Sequence, residues 1–268
     1  MDKVKKFTMH MLAAASAVTV CVMLAVGYSY KLNPVEHPLF ANVGLVFPIF
    51  LLINGGFLVL FLLTWKRLTL IPLAGYVLCY IPAHFSSPLN MLHSTPDGAI
   101  KVMSYNVWGY GTDKNVDGTN IVVQYIADSD ADIVCLQEVN LPGEYDVARF
   151  FEKRFPGYHV GYFMFVTDKG SYGNVTLSKF PILNKGKLMF DKSSNLAIFT
   201  DLKIGEGAEI RVYNCHFESY NVSLSRLKKS VADKDGELMW ETEEKMKKSI
   251  RRRPEQVDKV MSDIEDCT

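Results

Sequence analysis

The chain has 268 residues, 49% of them apolar, and sets 29 Lys/Arg against 29 Asp/Glu. The balance is uneven along the chain: residues 1–96 hold six basic and two acidic side chains, so the rest carries about −4, which disfavours a surface that grips DNA by counterion release. The five cysteines lack zinc-site spacing and read as buried thiols rather than a disulfide framework.

Residues 1–85 read as a membrane region. Phe7 to Tyr30 and Val43 to Thr64 are nearly unbroken apolar runs, each long enough for the roughly 20 residues that a helix needs to cross the hydrocarbon core. Leu68 to Phe85 is shorter and broken by Pro72 and Pro82. Spans are therefore predicted over 7–30, 43–64 and 68–85. The alternative for the first is a cleaved signal peptide, since Lys3, Lys5 and Lys6 precede an apolar core; its length and the two segments that follow favour a span. Basic residues prefer the cytoplasmic side. Lys3, Lys5 and Lys6 place the N-terminus there, and Lys66 and Arg67 fill the second link. Three spans predict a multi-pass protein, with the lipid bilayer as partner and the globular part on the extracytoplasmic side; two spans would reverse that side.

Residues 86–98, from Ser86-Ser87-Pro88 to Pro96-Asp97-Gly98, form a linker rich in turn formers. Beyond it, 99–268, the pattern is globular. Ile100 to Tyr105 predicts a buried strand ending on Asn106, Ile121 to Ala127 a helix, and Asp132 to Gln137 a second strand ending on Glu138. Glu144 to Phe155 predicts a helix. Strands follow at Tyr158–Val166, Gly173–Ser178, Ile182–Phe190, Leu196–Ile204 and Glu209–Glu218, read as an antiparallel meander. Ser223 to Cys267 is charged and helical in pattern, interrupted at Asp235-Gly236 and at Pro254.

Four apolar runs end on polar residues: Ser104-Tyr105-Asn106, Gln137-Glu138, Gly173-Asn174 and Asn214-Cys215-His216. Several strand ends at one sheet edge can converge on one substrate. In their order, Ser-Tyr-Asn-Val-Trp-Gly, Leu-Gln-Glu-Val, Gly-Asn-Val-Thr-Leu-Ser and Val-Tyr-Asn-Cys-His-Phe, they resemble the endonuclease/exonuclease/phosphatase superfamily over roughly Ile100 to Thr268. The resemblance implies an α/β fold, part of a four-layered sandwich of two facing mixed sheets with outer helices. It also implies phosphoester hydrolysis with Mg²⁺ or Mn²⁺. The family's later Gly-Asp-x-Asn and Ser-Asp-His motifs have no counterpart before Cys267-Thr268, which predicts a C-terminally truncated domain with negligible turnover; the alternative is a membrane-anchored pseudoenzyme or binding module.

Hydrolysis needs phosphate charge neutralised, a water aligned and the leaving oxygen stabilised. A hard cation such as Mg²⁺ is held by one or two carboxylates plus phosphate and water, and the resemblance gives Glu138 that role. Asn106 can orient Glu138 or touch the metal without adding charge. His216, as a cation, can donate to a phosphate oxygen. Asn174 matches a site-lining position. Taken singly, Asn106 also reads as a turn residue and His216 as a core histidine. Arg253 and Gln256 fit an Arg-x-x-Gln pattern of the family but equally a solvated helix face. Trp108, where some nuclease branches carry an acid, together with the acidic balance favours lipid or small phosphoesters over nucleic acid; no protein partner is predicted.

Overall fold

The computed structural model describes residues 2–38, 40, 43–87, 95–109, 120–141, 146–167, 170–205, 207–219, 228, 232 and 236–267. Its chain divides into two units, Met1–Ser94 with Tyr220–Pro254 and Thr95–Ser219 with Glu255–Thr268. Most of the 86–98 linker and, before Gly236, most of the stretch expected to be helical from Ser223 lie outside the described residues.

In the first unit stand α1 (Asp2–Gly27) and α2 (Phe47–Thr64), and both helical stretches, Lys3–Lys31 and Val43–Thr64, are long and apolar enough to cross a membrane. The third hydrophobic segment is two helices, α3 (Leu70–Leu78) and α4 (Tyr80–Ser86), bent by 61° where they meet. Pro82 explains the bend: it has no N–H, and its ring crowds the carbonyl of Leu78 four residues back. Leu78 O instead accepts from Tyr28 Oη at 2.8 Å. In the same way, Asn54 Nδ2 donates to Pro72 O at 2.9 Å and Tyr76 Oη to Leu51 O at 2.8 Å. Side-chain donors thus tie three helices together. Met23, Val26, Phe47 and Cys79 form the apolar centre.

The second unit starts with β1 (Val102–Asn106), α5 (Ile121–Ser129) and β2 (Ile133–Leu141). Asn120 caps α5, its Oδ1 accepting from Val122 N and Val123 N, which fixes where the helix begins. β1 and β2 pair in parallel, Val102 opposite Ile133, so the expected strand–helix–strand unit is present. After α6 (Val147–Arg154), capped by Asp146, come β3 (His159–Thr167), β4 (Gly170–Ser178), β5 (Ile182–Met189), β6 (Leu196–Ile204) and β7 (Ala208–Cys215).

These five strands do not form one meander. β3 and β4 join the first sheet, in the order β1-β2-β4-β3, while β5-β6-β7 form a second, antiparallel one. The change falls at Phe180-Pro181, where proline cannot extend the β4 ladder. Along β2 the side chains alternate. Val134 and Leu136 meet Ile126 of α5 and Phe151 of α6 on one face; Ile133 and Cys135 meet Leu202 of the second sheet on the other.

A last helix, α7 (Gly236–Glu265), contains Pro254. From Glu255 onward it belongs to the second unit. There Val260 and Ile264 pack on Phe190 and Ala197, and Tyr213 Oη donates to Asp263 Oδ2 at 2.5 Å. Within this unit the layers are therefore α5 and α6, the first sheet, the second sheet and the part of α7 from Glu255.

Candidate functional site

β2 does not stop at Gln137. It continues to Leu141, but its register against β4 jumps between Leu136 and Val139, so one extra residue is accommodated in a β-bulge. Before the bulge the even-numbered Val134 and Leu136 face the helices; after it the odd-numbered Val139 and Leu141 do. Unbroken alternation would have aimed Glu138 at the helices. The bulge, with Glu138 at φ 56°, turns this side chain out of that core. Bulges re-aim side chains in this way, and a non-glycine residue at positive φ is a local strain that surrounding structure must hold.

The hold comes from the turn after β1. Val107 N donates to Gln137 O at 2.9 Å and Gly109 N to Glu138 O at 2.7 Å. Asn106 Oδ1 accepts from Trp108 N at 3.0 Å, which leaves Asn106 Nδ2 free to donate to Glu138 Oε1 at 2.8 Å. The amide is thereby fixed in one orientation, as the donor facing a carboxylate.

His216 follows β7 directly, and its backbone N donates to Leu196 O at 3.0 Å. Its Nε2 lies 3.1 Å from Glu138 Oε1. On the other side of the ring, Tyr172 Oη is 3.4 Å from Nδ1. With Tyr172 donating, the imidazole proton sits on Nε2 and points at Glu138. Burial, then the Glu138 charge, push the Tyr172 hydroxyl up to about 12, so it stays a donor through the neutral range. Tyr172 lies in β4, two residues before Asn174, and no motif singled it out; only the distance between β4 and the end of β7 reveals it.

Asn106, Glu138 and His216 thus come together. Asn174 does not join them. It is buried, at 1% exposure, and Nδ2 donates to Leu196 O and Asn214 O, both at 3.2 Å. Asn214, equally buried, donates to Leu136 O at 3.1 Å and Val175 O at 3.0 Å and accepts from Gln137 Nε2 at 2.8 Å. These amides rivet the first sheet to the second beneath the site, in a layer where every polar group must find a partner. The polar halves of the Gln-Glu and Asn-x-His motifs therefore do two jobs: Glu138 and His216 face the site, while Gln137 and Asn214 fasten the sheets.

Arg253 is exposed, and Gln256, at 4% exposure, accepts from Glu218 N at 2.8 Å through Oε1. Gln256 therefore anchors α7 rather than lying on a solvated face. Cys135 and Cys215 are each raised to about 11 by burial and stay protonated, as inert thiols do.

The residues fit a hard divalent cation in part. Glu138 Oε2 has no hydrogen-bond partner among the described residues, and its side chain is 24% exposed, so one oxygen is free to ligate. No group of three or more His, Cys, Asp and Glu gathers among the described residues. A cation here would take one protein carboxylate, with phosphate and water filling the other positions, which suits Mg²⁺.

Sequence comparison places residues 9–86 in a domain of unknown function (DUF8431), and residues 103–235 match the profile of the Endonuclease/Exonuclease/phosphatase family. No curated protein sequence matches the chain significantly. Similar solved structures include an endonuclease/exonuclease/phosphatase from Beutenbergia cavernae, 16% identical, with a TM-score of 0.38 over 46% of this chain and 39% of that one. ANGEL2, a 2′,3′-cyclic phosphatase, is 23% identical, with a TM-score of 0.34 over 47% of this chain and 46% of that one. Truncated TDP2 from Caenorhabditis elegans is 20% identical, with a TM-score of 0.35 over 51% and 58%. The chain spans about half the length of these structures. Through residues 103–235, its globular part thus matches the endonuclease/exonuclease/phosphatase family.

Proposed function

We propose that this protein is a membrane-tethered, divalent-cation-dependent phosphoester hydrolase acting on a lipid or small-molecule phosphoester. The observation that carries the reading is the sharing of Glu138 Oε1 by Asn106 and His216. Glu138 would hold the cation through its free oxygen, and a bound Mg²⁺ or Mn²⁺ would neutralise phosphate charge and polarise the ester. Asn106 keeps the carboxylate turned toward the cation, an orienting role that its fixed amide favours over direct ligation. His216, with its proton on Nε2, can pass that one hydrogen bond from Glu138 Oε1 to a non-bridging phosphate oxygen. Tyr172 holds the ring at that angle.

α1 and α2 support tethering to a bilayer, and the basic residues at Lys3, Lys5, Lys6, Lys66 and Arg67 favour an extracytoplasmic site if the bent α3–α4 pair is a third span. With Glu138 the one carboxylate bonded to Asn106 and His216 among the described residues, slow turnover is expected. That same observation supports the second reading, a membrane-anchored module that binds a phosphoester without cleaving it.

The test is Mg²⁺- or Mn²⁺-dependent hydrolysis of bis(p-nitrophenyl) phosphate by the full chain in detergent, beside Glu138→Ala and His216→Ala. Slow, metal-dependent release that both variants abolish supports the hydrolase. Release indistinguishable from that of Glu138→Ala overturns catalysis, and Mn²⁺ binding followed by electron paramagnetic resonance would then decide whether the binding module stands.

A further inference from the structure

Trp108 is the most exposed of the large apolar side chains among the described residues, at 86%. Its neighbour Val107 is buried against the helix-side core. Trp108 is held at φ 42° and Gly109 at φ 83°, a left-handed pair that glycine tolerates and tryptophan does not favour. The bonds that hold this turn end on the site itself: Trp108 N on Asn106 Oδ1 and Gly109 N on Glu138 O. An indole is thus displayed to solvent, at the expense of burial and backbone comfort, on a turn fastened to Asn106 and Glu138.

We infer that Trp108 is a specificity-determining residue of the Glu138–His216 site, its indole face stacking on a planar ring carried by a small phosphoester. The inference deepens the phosphoesterase reading and rests on it for the phosphate. Two observations set the ligand class. Among the described residues no second ring accompanies the indole, and one open face stacks on a flat ring, whereas caging a quaternary ammonium takes several faces. A nucleic-acid strand would need a basic track beside successive stacking rings, yet residues 97–268 carry about −4. An exposed indole fastened to the Glu138–His216 site, with no second ring beside it among the described residues, suits a mononucleotide-like ester.

The test uses the full chain in detergent with Trp65→Phe and Trp240→Phe, so that Trp108 is the sole indole. With Mg²⁺ present, adenosine 5′-monophosphate is expected to quench its fluorescence saturably, while glycerol 3-phosphate is not. By calorimetry, Trp108→Ala should weaken the nucleotide relative to glycerol 3-phosphate by about ten- to a hundredfold, and Trp108→Phe should retain most of the preference. Absence of nucleotide quenching, or equal weakening of both ligands by Trp108→Ala, overturns the inference. So does a blue shift with phosphatidic acid vesicles but not with the nucleotide, which would make Trp108 a lipid contact. The two readings fail separately: Trp108-dependent nucleotide binding without Glu138-dependent hydrolysis sinks only catalysis, and the reverse sinks only stacking.

Discussion

One oxygen of Glu138, Oε1, lies 3.1 Å from His216 Nε2 and 2.8 Å from Asn106 Nδ2, so residues from β1, β2 and the end of β7 meet on a single atom. If the cation sits on Oε2, Glu138→Gln should abolish Mg²⁺-dependent activity, a loss of at least about 10²-fold. Asn106→Ala, which removes only the orienting amide, should weaken Mg²⁺ by about 10- to 100-fold. Metal titrations of activity distinguish the two; equal Mg²⁺ requirements in Asn106→Ala and the unaltered chain would sink the orienting role.

Tyr172→Phe removes the hydroxyl that faces His216 Nδ1. Rates should fall about two- to tenfold. An unchanged rate would show that the 3.4 Å contact is incidental.

Asn174→Ala deletes both of its bonds across the sheets, to Leu196 O and Asn214 O. Stability should drop by about 1–3 kcal/mol, read from denaturant unfolding, while the Mg²⁺ requirement per folded molecule stays put. A kinetic defect in fully folded protein would return Asn174 to the substrate side of the site.

Gly173 allows β3 and β4 to pair closely. A Cβ there would lie 2.0 Å from Phe163 O and 2.9 Å from Met164 Cα, and both contacts are with backbone that cannot swing away. Gly173→Ala should cost about 3 kcal/mol or more, seen as a lowered thermal midpoint or failure to accumulate folded protein.

Arg211 grips Asp201 with Nε on Oδ1 at 2.6 Å and Nη2 on Oδ2 at 2.8 Å, holding the Asp201 carboxyl below its ordinary value of 3.8. A depressed folded pKa means that the pair's stabilisation is complete above the ordinary carboxylate value and fades as pH falls through the folded one. Asp201→Asn should therefore lower stability at neutral pH by about 2 kcal/mol and flatten its decline below pH 3.8. Unfolding midpoints at neutral and acidic pH test this; parallel losses at both would contradict it.

Apolar runs and turn residues were enough to locate the elements. The β6 limits, Leu196–Ile204, matched, and α5 ran two residues past its expected end at Ala127, because such patterns are set by neighbours in the chain. The motif residues also pointed to Asn106, Glu138 and His216 as a group. Which strands pair was not local information: the run after Tyr158 reads as one meander, and only packing assigns β3–β4 and β5–β7 to different sheets. The same holds within the motifs, where alternation would aim Glu138 at the helices and a single inserted residue in β2 turns it toward His216. Gln137, Asn174 and Asn214 have the chemistry of site residues, and the closeness of the two sheets makes them internal fasteners instead. A sequence specifies which groups are available; burial, decided by contacts between distant segments, determines which of them face a ligand and which face each other.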